Sequence, residues 1–115
     1  MGVKYGEIEF ANFELFSEWI PPKKKQGLYM LAYLSRSDDS TNYFTRLYFG
    51  QTGDFDDRGW DSHEGVECSM NELPEGKKLY IAIYETPNWT EKQRKESKTS
   101  LIKSHPTNCN KKLSI

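Results

Sequence analysis

Residues 77–87, KKLYIAIYETP, carry the clearest period-two pattern of the chain. In an extended segment, one face would carry the aliphatic side chains of Leu79, Ile81 and Ile83. The opposite face would carry Tyr80, Ala82 and Tyr84. This alternation predicts a β-strand with two packed faces. Pro87 ends the strand because its nitrogen has no hydrogen to donate to a neighbouring strand.

Two apolar segments upstream predict partner strands. They are GLYMLAYLS at residues 27–35 and TRLYFGQT at residues 45–52, both rich in aromatic and aliphatic side chains. The polar stretch between them predicts a long loop over residues 35–46, so that the two strands form a hairpin.

Helical signals surround these strands. The aromatic residues of the segment 8–20 recur at roughly helical spacing, which predicts a short helix or a strand followed by a helix. Asp54 is a good N-cap and predicts a short helix after the second strand. Thr90 caps a final predicted helix over residues 91–105, and Pro106 terminates it.

The predicted order is therefore β-β-α-β-α behind an N-terminal segment. This order favours an α+β fold in which a small three-stranded antiparallel or mixed sheet is flanked by helices. A chain of 115 residues fits a single domain over residues 1–115. Residues 1–26 form its N-terminal extension, and residues 27–110 form the core.

Composition restricts the partners and the compartment. The formal net charge of −1 argues against nucleic-acid binding by bulk charge alone, although lysines cluster at residues 23–25 and again within residues 92–103. No apolar segment approaches the length of a membrane span, and the N-terminus has no signal-peptide pattern. We therefore expect a cytoplasmic protein in which Cys68 and Cys109 are reduced thiols.

Short motifs follow a fixed order from the first predicted strand to the end of the chain. They are Gly27-Leu28-Tyr29, Tyr48-Phe49-Gly50, Arg58 eight residues after Gly50, His63, Leu101-Ile102 with Pro106, and Asn110 nine residues after Leu101. In this order, and on these predicted elements, they resemble the GIY-YIG nuclease family, which includes intron homing endonucleases and the incising subunit of bacterial excision repair. Phe49 replaces the isoleucine of the family motif.

The resemblance implies an endonuclease that hydrolyses nucleic-acid phosphodiester bonds with Mg²⁺ or Mn²⁺. It implies that Arg58 binds the phosphate, that Tyr29 positions or deprotonates the attacking water, and that Tyr48 assists through its hydroxyl. His63 would serve as an alternative base or phosphate contact, and Asn110 would hold the site together by hydrogen bonds. The expected partner is nucleic acid, DNA in the first place. So small a domain needs appended modules or a homodimer to find its target.

One residue departs from the family in a way that bears on activity. Lys98 stands where the family has its metal-binding glutamate, three residues before the Leu-Ile pair and twelve before Asn110. An ammonium group cannot ligate Mg²⁺, which takes oxygen donors. Glu91 lies two helical turns away and is a weak substitute. The sequence thus leaves a second interpretation, a catalytically inactive module that binds nucleic acid or a protein, with Lys103 and its basic neighbours contacting phosphates.

Each candidate residue also has an ordinary structural interpretation. Arg58 would form a surface ion pair with Asp54 or Asp57, and His63 would be an exposed histidine. The two tyrosines would simply pack in the sheet. These alternatives predict burial and contacts that differ from those of a site.

A zinc site is a further alternative from another class of function. Two histidines and two cysteines would supply its ligands: His63, Cys68, His105 and Cys109. The tight Cys-x₂-Cys turn typical of structural zinc sites is missing, however.

Overall fold

The computed structural model describes residues 2–57 and 59–113. Within these residues, one antiparallel sheet has the strand order β1-β2-β5-β3-β4. The strands are β1 (Val3–Tyr5), β2 (Ile8–Leu15), β3 (Gly27–Asp38), β4 (Thr41–Thr52) and β5 (Leu79–Glu85). The helices are α1 (Glu64–Glu72), α2 (Glu91–Ser104) and α3 (Asn108–Leu113), and a 3₁₀ turn covers Trp60–Ser62. The fold class is therefore α+β, as predicted.

The strand and the helix with the clearest sequence signals are confirmed. β5 lies at the centre of the sheet, where both of its faces are covered. α2 begins with the predicted cap: the Thr90 hydroxyl accepts the Gln93 N–H, and the Gln93 side chain accepts the Thr90 N–H. Among the described helices, none is long and apolar enough to cross a membrane.

The prediction of a three-stranded sheet is wrong, because the sheet has five strands. The segment 8–20 was predicted as a short helix or as a strand followed by a helix. Its first part is the strand β2, which pairs with β5, and a turn instead of a helix follows it; β1 pairs with β2 in turn. The register of β2 shifts between Ala11 and Glu14, and Asn12 adopts a φ of 55°. This bulge places Phe10 and Phe13 against the same core cluster although they are three residues apart. A strand with a bulge thus acquires the spacing of a helix.

The predicted loop over residues 35–46 is also wrong. β3 and β4 continue through this region as a long hairpin and turn at Asp39 and Ser40, whose φ angles are 45° and 69°. Two positive φ angles in succession are typical of the tight turn that matches strand twist. The end of the hairpin extends beyond the core, which explains why its sequence is polar.

The helix predicted after Asp54 begins later than expected. Asp54 instead accepts the Asp56 N–H in a local turn, and α1 starts at Glu64 with His63 as its N-cap. His63 therefore belongs to the beginning of a helix and is fixed by it.

The cysteines correct another expectation, since Cys68 and Cys109 form a disulfide. The two cysteines are 41 residues apart in sequence, but the packing of α1 against α3 brings the Cα atoms of Cys68 and Cys109 to 5.8 Å from each other. We expected reduced thiols because the two cysteines are far apart in the sequence and no signal-peptide pattern is present. The packing of α1 against α3 brings the cysteines together instead, so the disulfide removes this support for a reducing compartment.

Strand β4 is an edge strand that all three helices contact. One core cluster, including Phe49 and Leu101, packs on one face of the sheet, and a second, including Tyr29 and Phe55, packs on the other. The end of β4 therefore lies where elements from both faces converge.

Candidate active site

The candidate site begins with the pairing of Tyr29 and Gly50. These residues are directly opposite each other on β3 and β4. The ring and hydroxyl of Tyr29 occupy the space that a side chain at position 50 would need, because a β-carbon there would overlap them. Position 50 therefore requires glycine, because any side chain there would displace the Tyr29 ring from its place.

His63 connects this tyrosine to α1. The Tyr29 hydroxyl is hydrogen-bonded to His63 Nε2, and His63 Nδ1 accepts the Gly65 N–H at 2.8 Å as the N-cap of α1. Because a backbone N–H can only donate, Nδ1 of the neutral imidazole carries no proton. The proton is then on Nε2, so His63 donates to the oxygen of Tyr29.

Two further aromatic rings enclose the pair. Tyr48 lies edge-on to His63, with ring centroids 5.6 Å apart. Trp60 stacks on His63 at 5.4 Å and meets Tyr29 edge-on at 4.9 Å, while its Nε1 donates to Phe55 O at 2.8 Å. The structure thus adds Trp60 to the site. Its position between Arg58 and His63 in the sequence is the signal that could have identified it.

The members of this group differ in their access to solvent. Tyr29 is 0% exposed and His63 is 6% exposed, whereas Tyr48 is half-buried. His63 is therefore not the exposed histidine of the ordinary interpretation. Tyr48 is therefore the more exposed of the two tyrosines in this group.

Gly27 and Asn110 hold the strands that carry the site. Gly27 starts β3 and pairs with both Thr52 and Glu85. Asn110 is buried on α3, where its side-chain amide accepts the Phe49 N–H and donates to Phe49 O, both at 2.9 Å. The strand segment that presents Tyr48 and Gly50 is thereby attached to α3.

Arg58 lies outside the described residues, and so do its expected ion pairs with Asp54 or Asp57. The role implied for Arg58 by the motif order stays a prediction.

Helix α2 carries the residues that would concern a metal. Lys98 is half-buried, and Lys103 is exposed in the last turn. Glu91 is exposed in the first turn and pairs with Lys95 at 3.7 Å. Among the described residues, no three His, Cys, Asp or Glu side chains gather into a group that could hold a metal ion. Position 98, where the family has its glutamate, holds a lysine that cannot ligate Mg²⁺, and we assign no catalytic step to a metal.

The disulfide bears on the zinc alternative as well. Cys68 and Cys109 are bonded to each other and cannot act as thiolate ligands in this state. The remaining pair would be His63, which is hydrogen-bonded to Tyr29 and Gly65, and His105. Two histidines alone do not complete a zinc site.

One of the basic residues predicted on the last helix is a buried cation beside the end of β4. Arg94 on α2 is 6% exposed, and its Nε donates to Gln51 Oε1 at 3.0 Å. Gln51 directly follows Gly50 on β4, and its side chain points to the opposite face of the sheet from the position of Gly50. The position of Arg94 one helical turn before Lys98 is the signal that could have identified it.

Comparisons with protein-family models, with curated proteins and with solved structures give no match to this chain. What the site does must therefore be argued from its own geometry and from the order of its motifs.

Proposed function

We propose that this chain is an endonuclease domain of the GIY-YIG type that hydrolyses phosphodiester bonds in nucleic acid, with DNA as its partner. The hydrogen bond between Tyr29 and His63 carries the proposal. It joins residues 34 positions apart that the family motifs place in one site. Gly50, which completes the second motif, shapes the space that the Tyr29 ring fills.

The chemistry requires a water that attacks phosphorus, a group that takes the proton of that water, and an oxygen that leaves the phosphate. The N–H of His63 donates to the Tyr29 oxygen and stabilises negative charge there. In this proposal Tyr29 first loses its hydroxyl proton to solvent, and the resulting phenolate then accepts the proton of the attacking water. His63 is then its positioning residue. Tyr48 would contact the phosphate, and Arg58 would neutralise its developing charge. Because Tyr29 is fully buried, the proposal requires that substrate binding admit one water to its hydroxyl.

Nicking of supercoiled plasmid tests this proposal. The protein is assayed with Mg²⁺, with Mn²⁺ and with EDTA, and the variants Tyr29→Phe and His63→Gln are compared with it. Loss of a general base or of its positioning residue lowers rates by about 10²-fold or more. Tyr43→Phe is the matched control, since Tyr43 is exposed at the far end of the hairpin. An intact plasmid under every condition, or variants as fast as the parent, would overturn the proposal.

The lysine at position 98 favours a second candidate function. In this alternative the chain binds nucleic acid without cutting it, because an ammonium group holds a phosphate by charge but cannot ligate a metal. Arg94 and Lys103 on the same helix add to the positive charge. Retention of the aromatic group around His63 would then reflect stability of the fold.

The variant Lys98→Glu distinguishes the two candidates. If the chain is a binding module derived from a nuclease, Lys98→Glu gains Mg²⁺-dependent nicking while the parent only binds DNA. Lys103→Glu makes the same charge change at an exposed position of the same helix and should not gain it. If Lys98→Glu cuts nothing across a range of divalent metals, the derivation from a nuclease is contradicted.

A further inference from the structure

Among the described residues, the guanidinium of Arg94 forms no ion pair with a carboxylate. Its Nε donates to Gln51 Oε1 at 3.0 Å, and its Nη1 donates to Trp89 O at 3.4 Å. Both acceptors are neutral. Within residues 2–57 and 59–113, no carboxylate pairs with Arg94. A cation buried to this extent without a counter-charge is costly, because hydrogen bonds to neutral groups compensate only part of its desolvation.

The third nitrogen of the guanidinium is directed at an open position. A β-carbon at Gly53 would lie 3.2 Å from Arg94 Nη2. Gly53 itself is exposed and has no side chain to cover that nitrogen. In the described part of the chain, Nη2 donates no hydrogen bond. A small anion approaching over Gly53 would meet a donor that carries positive charge.

Two exposed lysines flank this approach. Lys24 and Lys25 line a cleft of about 150 Å³ together with Gly53. Their segment is fixed in place, since Lys25 O accepts the Phe55 N–H at 2.9 Å. Glu85 also lines the cleft and is the carboxylate that opposes an anion there.

We propose that Arg94, with Lys24 and Lys25, forms a binding site for a backbone phosphate of the nucleic acid. The nucleic-acid origin of that phosphate rests on the proposed function, whereas the anion site itself does not. Gln51, which Arg94 contacts, and Tyr48 point to opposite faces of β4, so this phosphate would be a different one from the phosphate that meets Tyr48.

Four variants change the site in different ways. Arg94→Met removes the charge at similar volume, and replacing a buried charge by an apolar side chain leaves stability unchanged or raises it. Gly53→Ala keeps the charge but places a methyl group against Nη2. Glu85→Gln removes the opposing carboxylate. Lys24→Ala with Lys25→Ala reduces the flanking charge, and Lys77→Ala with Lys78→Ala is its matched control at the start of β5.

Binding of a short mixed-sequence DNA duplex is measured over a series of salt concentrations. We expect Arg94→Met and Gly53→Ala to weaken binding by about tenfold. Each phosphate contact that is lost lowers the slope of log K against log salt by about 0.9. Glu85→Gln should tighten binding, and the Lys77/Lys78 control should leave the slope unchanged. Parental affinity and slope in folded Arg94→Met would overturn the proposal.

A second measurement separates this proposal from the proposed function. Inorganic phosphate should raise the melting temperature of the parent more than that of Arg94→Met, with chloride at equal ionic strength as the reference. If phosphate stabilises the parent in this way but no DNA or RNA binds, the anion site stands and the nucleic-acid function fails. If Arg94→Met instead melts much lower and the two proteins respond equally to phosphate, Arg94 is purely structural.

Discussion

The side-chain amide of Asn110 binds both backbone polar groups of Phe49. Oδ1 accepts the Phe49 N–H and Nδ2 donates to Phe49 O, each at 2.9 Å. This is the pairing that another strand would provide. Because β4 is an edge strand, the amide closes its outward side next to the candidate site.

Asn110→Ala should therefore lower the free energy of unfolding by about 2–4 kcal/mol, since it leaves two buried backbone groups without partners. Asn110→Asp keeps the acceptor and loses the donor, so its free energy of unfolding should lie between those of the parent and of Asn110→Ala. Urea unfolding measures the effect. Asn108→Ala, at an exposed position of the same helix, is the control and should change stability far less. Equal effects at positions 108 and 110 would contradict this account of the edge.

The parts of the fold that follow from local signals could be predicted from sequence, whereas parts that depend on distant contacts could not. The alternation at residues 79–84 and the capping box at Thr90 are local, and both are found as β5 and α2. The sequence left helix and strand open for β2, because its bulge at Asn12 exists only in pairing with β5. The disulfide likewise depends on the packing of α1 against α3.

The candidate site was predictable where a motif fixes the residues and not where burial does. Tyr29, Tyr48 and His63 come together as the motif order implied. Trp60 was missed because a tryptophan outside a motif looks like any other tryptophan. Arg94 was predicted only as one of several basic residues on the last helix. The three-dimensional arrangement adds that Arg94 is buried and has no carboxylate partner among the described residues.

Gly50→Ala should disrupt the site through the ring of Tyr29. The added methyl group overlaps the ring, and overpacking of this kind costs about 1–3 kcal/mol. Combining Gly50→Ala with Tyr29→Ala should restore part of the loss, because the obstacle is then gone. A double-mutant cycle by urea unfolding measures this coupling. If the two effects simply add, the close contact does not constrain position 50.

The tautomer of His63 gives a prediction that does not depend on activity. Nδ1 accepts the Gly65 N–H, so the neutral ring should carry its proton on Nε2. Nitrogen-15 NMR of labelled protein distinguishes a protonated from an unprotonated ring nitrogen. In Tyr29→Phe the Nε2 resonance should shift while Nδ1 keeps its value, since only the partner of Nε2 is removed. A protonated Nδ1 in the neutral ring would contradict the proposed direction of this hydrogen bond.

Glu72 should make part of the stability depend on acid pH. Asn108 donates a hydrogen bond to its carboxylate, and the Lys112 ammonium lies 3.5 Å away, so the pKa of Glu72 is lowered. Its contribution is present above the pKa of the unfolded chain and is lost as pH falls through the lower pKa of the folded chain. Glu72→Gln should remove this part of the acid dependence in unfolding measured from neutral to acid pH. An unchanged acid profile would count against the link between α1 and α3 at this residue.

The bond between Cys68 and Cys109 joins the same two helices and should dominate their attachment. It closes a loop with a sequence separation of 41 residues, for which loss of chain entropy in the unfolded state predicts a stabilisation of about 4 kcal/mol. A dithiol reductant should lower the melting temperature of the parent and leave Cys68→Ser with Cys109→Ser unaffected. Because Cys109 immediately precedes Asn110, reduction should also increase amide exchange at Phe49 before global unfolding. Titration of thiols in the unreduced, denatured protein is the direct check, and two free thiols per chain would show that the bond is not formed.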